Sequence, residues 1–178
     1  MDKKIIVVFG SSRPKPGDPE YQLAHALGAE LARAGFVVCN GGYAGIMEAS
    51  ARGAKEAGGS TVGVTVTEFS KAANKWIDKE IRLPTLTERL MKLVELGDAY
   101  VILKGGTGTL LELAYVWEFI NKGLLRQKPI VVVGNFWNGV IETLKEELIW
   151  EGLGDCTKHI KQVTTTEECA ALLRKKLQ

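Results

Sequence analysis

The sequence predicts a doubly wound α/β domain, a parallel sheet with helices on both faces. Three observations predict it. Strand-like and helix-like stretches alternate to the end of the 178 residues. The strand-like stretches are continuous apolar, β-branched runs, as in strands buried on both faces, rather than alternating apolar and polar residues. Most of them leave through glycine or a polar turn and enter a segment of helical period.

The elements follow in order. "KIIVVFG" (Lys4 to Gly10) is a strand closed by glycine, and the proline-bearing "SSRPKPGDPE" is a loop. "YQLAHALGAELARAG" spaces Leu23, Leu27 and Leu31 for a helix that stops at Gly35. "FVVCNGG" is a second strand, "AGIMEASARGAKEAGG" a small-residue helix, and "STVGVTV" a third strand. The polar "TEFSKAANKWIDKEIRLP" holds a short strand around Glu80 to Leu83. "TLTERLMKLVELG" is a helix, "AYVILKGG" a strand, and "TLLELAYVWEFINKG" a helix that is apolar almost all round. The strand "KPIVVVG", the helix "FWNGVIETLKEELIWEG", the strand "HIKQVTT" and the helix "TEECAALLRKKL" complete the chain. Capping boxes are expected at Thr85/Glu88, Thr109/Glu112 and Thr164/Glu167.

The length suits a single domain over residues 1–178, and 46% hydrophobic residues suffice for a sizeable core. A formal net charge of +2 is too balanced to imply a nucleic-acid or membrane partner. Cys39, Cys156 and Cys169 are widely spaced and read as reduced thiols that pack as small hydrophobes in a cytoplasmic protein. His25 and His159 lie far apart and no ligand cluster is visible, so neither a metal nor another cofactor is expected.

Ligands of open α/β sheets bind at the carboxyl ends of the strands, so three strand-to-helix loops are candidates. The first, "FGSSRPKPG", lacks GxGxxG, and the second strand ends in Asn40 rather than an acid, which disfavours a dinucleotide; no Walker motif occurs. Ser11, Ser12 and Arg13 offer groups to a ribose or phosphate, although an ordinary polar loop is the better reading of this stretch alone. The second, "NGGYAGIME", brings Gly41 and Gly42 before a helix start. It reads equally as a ligand cradle and as a tight turn, with Met47 in the core rather than lining a pocket. The third, "KGGTGT", exposes backbone N–H groups of Gly105, Gly106, Thr107, Gly108 and Thr109 at a helix mouth, which suits a phosphate. By itself, Glu112 reads as the partner of a Thr109 cap, and Arg89 as a surface arginine, although a cation in a first helical turn hints at an anionic partner.

Taken together, "GGYAGIM" resembles a GGGxxGLM motif and "KGGTGTLLE" a PGGxGTxxE motif. Both occur in the lonely-guy family of nucleoside 5′-monophosphate phosphoribohydrolases, whose members are also labelled lysine decarboxylase-like. "GSS" at Gly10, Ser11 and Ser12 is also as in that family. The resemblance runs from the first strand to about Gly134 and more loosely beyond. It implies a Rossmann-like nucleotide-binding fold and carries the family's catalytic arginine and glutamate to Arg89 and Glu112, which are 112 − 89 = 23 positions apart. It further implies hydrolysis of an N-glycosidic bond, a 5′-phosphate at Gly105 to Thr109, and a homodimer or higher homo-oligomer. The apolar Leu113, Tyr115, Val116, Trp117, Phe119 and Ile120 point to the same assembly. Lys104, Thr87, Leu90 and Glu48 depart from the family pattern and bear on substrate identity. The loop pattern is also similar to that of the molybdenum-cofactor carrier proteins, so a non-catalytic carrier of that or another phosphorylated ligand is the alternative. A more distant similarity is to the Rossmann domain of DNA-processing protein A.

Overall fold

The sheet is built from strands that leave little apolar surface to water. A computed structural model describes residues 3–69 and 71–177. Seven strands lie in one sheet: β1 (Ile5–Phe9), β2 (Val37–Asn40), β3 (Thr61–Val66), β4 (Lys79–Leu83), β5 (Ala99–Ile102), β6 (Ile130–Val133) and β7 (Ile160–Val163). Every pairing is parallel, in the order β4-β3-β2-β1-β5-β6-β7. The doubly wound, Rossmann-like class is therefore as the apolar runs predict.

Six helices cover the two faces: α1 (Pro19–Arg33), α2 (Ile46–Glu56), α3 (Leu86–Leu96), α4 (Thr107–Asn121), α5 (Asn138–Trp150) and α6 (Thr166–Leu177). Successive strand residues point to opposite faces. Ile6 and Val8 join the core under α1, α2 and α6, while Val7 and Phe9 join the core under α3, α4 and α5. The winding turns back between β1 and β5, which brings the loops after these two strands side by side at the carboxyl edge of the sheet.

The structure departs from the expected elements in three places. Among the described residues, no α-helix joins β3 to β4; the connection holds a 3-10 turn, Thr67–Phe69. Strict alternation of strand and helix fails there. Helix α4 starts at Thr107 with Gly106 as its N-cap, so the Thr109/Glu112 capping box does not form. Glu112 sits deep in the second turn, too far from the helix end to cap it. At α6 the box lies one residue later than expected. Glu168 N donates to Thr165 Oγ1 at 3.2 Å, and the Glu168 carboxylate accepts from Thr165 N at 3.3 Å. The Thr85/Glu88 box is present as expected. Thr165→Ala is accordingly expected to cost about 1 kcal/mol of stability, as a lost N-cap does, whereas Glu167→Ala leaves the cap in place. Urea denaturation of the two variants checks this.

Cys39, Cys156 and Cys169 are free and buried. Among the described residues, no helix is long and apolar enough to cross a membrane.

Candidate active site

Three loops meet at Ser11. Its backbone N donates to Lys104 O at 3.1 Å, and its carbonyl accepts from Ile46 N at 2.9 Å. The first bond ties the loop after β1 to the loop after β5, and the second ties it to the start of α2. Gly45 makes this convergence possible. It caps α2 at φ +70, which disfavours L side chains, and a Cβ there would lie 2.4 Å from Ser11 O. Asn40, at the end of β2, clamps the same corner. Its Nδ2 donates to Met47 O and Ser50 Oγ, and its Oδ1 accepts from Gly42 N.

A cavity of about 1000 Å³ opens beside this junction. Of the residues singled out in the sequence, Gly10, Ser11, Ser12, Arg13, Arg89, Gly106, Thr107, Gly108, Thr109 and Glu112 line it. Gly105 does not; it faces a second hollow across the Ser11–Lys104 bond. Gly41 and Gly42 stand behind the wall. Gly41 packs against Arg89, and Gly42 O accepts from Asn74 N at 2.7 Å, which fastens the β3–β4 connection over one side of the cavity. Met47 is buried as expected, but it also lines the cavity, which corrects the expectation that it would not. Tyr43, within the "GGYAGIM" stretch, and Glu48, just after it, also line it, as do Lys71 and Asn74, which no motif marks.

The end of α4 that faces the cavity has no side-chain cap. Its first N–H groups therefore remain available, and the helix dipole adds positive potential there. Gly108, Thr109 and Glu112 fall three and four residues apart and share this face.

Arg89 is a buried rather than a surface arginine, 8% exposed. Its Nε donates to Val64 O at 2.7 Å, its Nη2 contacts Met47 Sδ at 3.7 Å, and the guanidinium lies 5.6 Å from the Tyr43 ring centre. It makes no ion pair with a carboxylate among the described residues. Burial pulls its pKa down, and the Glu112 carboxylate is the leading opposing influence. A buried cation without a bound anion is costly, which favours an anionic ligand.

Burial pushes the Glu112 carboxyl up from 4.5 to about 7, against the pull of Arg89. That value suits a proton acceptor near neutral pH. It also has a consequence for folding. A carboxyl with a raised folded pKa keeps its full contribution to stability below 4.5 and loses it as pH rises through about 7. Relative to Glu112→Gln, the protein is expected to lose on the order of 1–3 kcal/mol across that window. Chemical denaturation of both proteins on either side of it measures the difference.

Among the described residues, no group of three or more His, Cys, Asp or Glu is arranged to hold a metal.

A model of the SLOG cluster4 family matches residues 3–169. The chain belongs to the SLOG cluster4 family. This SLOG chain is 36% identical over 134 residues to a cytokinin riboside 5′-monophosphate phosphoribohydrolase of Mycobacterium tuberculosis, covering 68% of this chain and 71% of the relative. It is 32% identical over 136 residues to a protein of the same name from Rhodococcoides fascians, covering 74% and 68%. The lonely-guy resemblance carried by the glycine motifs is thereby borne out. Among solved structures, the molybdenum cofactor binding protein of Rippkaea orientalis matches with a TM-score of 0.78 and 25% identity, over 100% of this SLOG chain and 99% of the other.

Proposed function

We propose that the protein hydrolyses the N-glycosidic bond of a nucleoside 5′-monophosphate, releasing the free base and ribose 5-phosphate. The observation that carries this reading is the pairing of a buried, carboxylate-free Arg89 with a Glu112 raised to about 7, both on one cavity beside the uncapped start of α4. Relatives named as phosphoribohydrolases at 32% and 36% identity support the same chemistry.

In this mechanism the 5′-phosphate rests on the N–H groups and hydroxyls of Gly106 to Thr109. Arg89 donates to the ligand and orients it. The bond from C1′ to the base breaks through an oxocarbenium-like transition state. The Glu112 carboxylate stabilises that charge and takes the proton of the water that adds to C1′; the base leaves with the bonding pair and is protonated. Gly105 helps shape the phosphate loop rather than contacting the ligand, since a Cβ there would lie 2.2 Å from Thr109 Oγ1. Gly10, Ser11 and Ser12 complete the wall, while Gly41 and Gly42 act from behind it. Three buried thiols fit a reducing, cytoplasmic setting.

The full-length match to a molybdenum cofactor binding protein favours a second reading, a carrier that holds a phosphorylated pterin without turnover. Base release from a panel of nucleoside monophosphates, followed by chromatography, separates the two. Release of a base supports the hydrolase. No release from any of them, with tight binding of the pterin cofactor, replaces it with the carrier.

We further propose a homodimer formed through α4. Leu113, Val116, Trp117 and Ile120 are buried within the chain's own core, so the surplus apolar surface is narrower than the helix composition suggests. The remaining stripe is Leu111, 52% exposed, with Tyr115 and Phe119 stacked at 4.0 Å. Light scattering at micromolar protein is expected to give a dimer mass, which Leu111→Glu lowers to that of a monomer.

A further inference from the structure

The hollow across the Ser11–Lys104 bond is not needed by the reaction above. It measures about 310 Å³, within the size range of small-molecule sites, roughly 300–1,000 Å³. Ser11 and Arg13 line both this hollow and the main cavity, so the two are adjoining compartments of one cleft. Gly105 faces one and Gly106 the other, so the phosphate loop runs along the divide.

The wall chemistry of the hollow is specific. Phe136 is 49% exposed and offers a ring face, with Lys104 Nζ 5.8 Å from its centre. Lys104 Nζ donates to Glu20 Oε1 at 2.7 Å, so the carboxylate is held at the rim of the hollow. Asp18 uses Oδ2 to accept from Lys15 N at 2.8 Å, and its side chain does not cap α1 although it stands at the N-cap. Arg13 makes no side-chain hydrogen bond or ion pair among the described residues. Carboxylate acceptors beside an aromatic face suit a hydroxylated ring: O–H groups donate to the acids and the C–H face lies on the phenyl. An unpaired guanidinium on the divide suits a phosphoryl group that bridges the compartments.

We propose that this hollow binds the group attached to the far side of the ligand's phosphate, so that the protein takes nucleoside 5′-diphosphates carrying a second, polyhydroxylated ring. This rests on the main cavity being a nucleotide site. Within it, the nucleoside monophosphate half occupies the main cavity, Arg13 holds the second phosphoryl group, and the sugar lies on Phe136 with its hydroxyls toward Glu20 and Asp18.

The test is calorimetric titration of the Glu112→Gln protein, in which ligand is not consumed, with AMP, ADP and ADP-glucose, and with the guanine and uracil counterparts. For the base that binds, the glucose conjugate is expected to bind about tenfold more tightly than the monophosphate. Phe136→Ala and Glu20→Gln, both at exposed or half-exposed positions, should each remove most of that gain and leave monophosphate affinity unchanged. Equal binding of the monophosphate and its conjugate overturns the proposal, as does a Phe136→Ala variant that weakens both alike. If none of these ligands binds to folded protein, the nucleotide reading of the main cavity fails as well.

Discussion

Glu112→Gln is expected to lower base release by about 10³-fold or more while nucleotide affinity stays within about threefold. The amide keeps the volume of the carboxyl but can neither take a proton from water nor carry the charge that faces an oxocarbenium-like centre. In the proposed mechanism the wild-type group does both, and only when ionised. With a folded pKa of about 7, the wild-type kcat/KM should rise with pH through that value and flatten above it. Chromatography of the released base measures the rate, and calorimetry with the same nucleotide measures affinity. A Gln variant that turns over at the wild-type rate would remove Glu112 from the chemistry. One that has lost binding would make it a ligand contact instead. Stability does not confound the comparison, because Glu112 caps nothing and its replacement by a neutral group relieves a burial cost above the folded pKa.

The second large effect is expected from a residue that does not line the cavity. Gly41→Ala adds a Cβ that would lie 1.6 Å from Arg89 Nη2 and 2.7 Å from both Arg89 Cζ and Met47 Sδ. Both neighbours are side-chain ends that border the cavity, so they yield by moving out into it. Arg89 is buried and fastened through Nε to Val64 O, and Met47 is 9% exposed. The guanidinium must therefore leave its slot, so kcat/KM is expected to fall about 10²-fold or more, approaching Arg89→Ala. Overpacking also costs about 1–3 kcal/mol of stability. Joining Gly41→Ala to Arg89→Ala should lower activity little further, because both act through one group. Near-normal activity in folded Gly41→Ala would show that Arg89 does not need this position.

The candidate site was legible in its glycine motifs and in the spacing of Arg89 and Glu112, but several of its features were not. Glu112 reads as a cap because Thr109 and Glu112 match a local pattern. The pattern loses because Leu103 N bonds Phe9 O and Ser11 N bonds Lys104 O. These bonds hold the end of β5 to β1, and the helix begins at Thr107. Arg89 reads as exposed because its own helix says nothing of Val64, Met47 and Gly41, which enclose it from 25, 42 and 48 positions away (89 − 64, 89 − 47 and 89 − 41). That Met47, though buried, also borders the cavity is hidden for the same reason. The β3–β4 connection has no periodicity to read; Asn74 holds it to the loop before α2, donating from Nδ2 to Gly42 O and Tyr43 O.

What the sequence by itself determined was whatever depends on neighbours within a turn or a strand. Apolar runs made buried parallel strands, glycine and proline ended them, and Thr85 with Glu88 capped α3. These follow from short-range sterics, hydrogen bonding and the burial of apolar side chains, all readable from spacing. The tertiary structure alone decided the burial of Arg89, the raised pKa of Glu112, the exact start of α4 and the division of the cleft at Ser11. Each depends on desolvation or contact by groups distant in the chain. Such effects vary steeply over a few ångströms, a distance that sequence spacing does not encode.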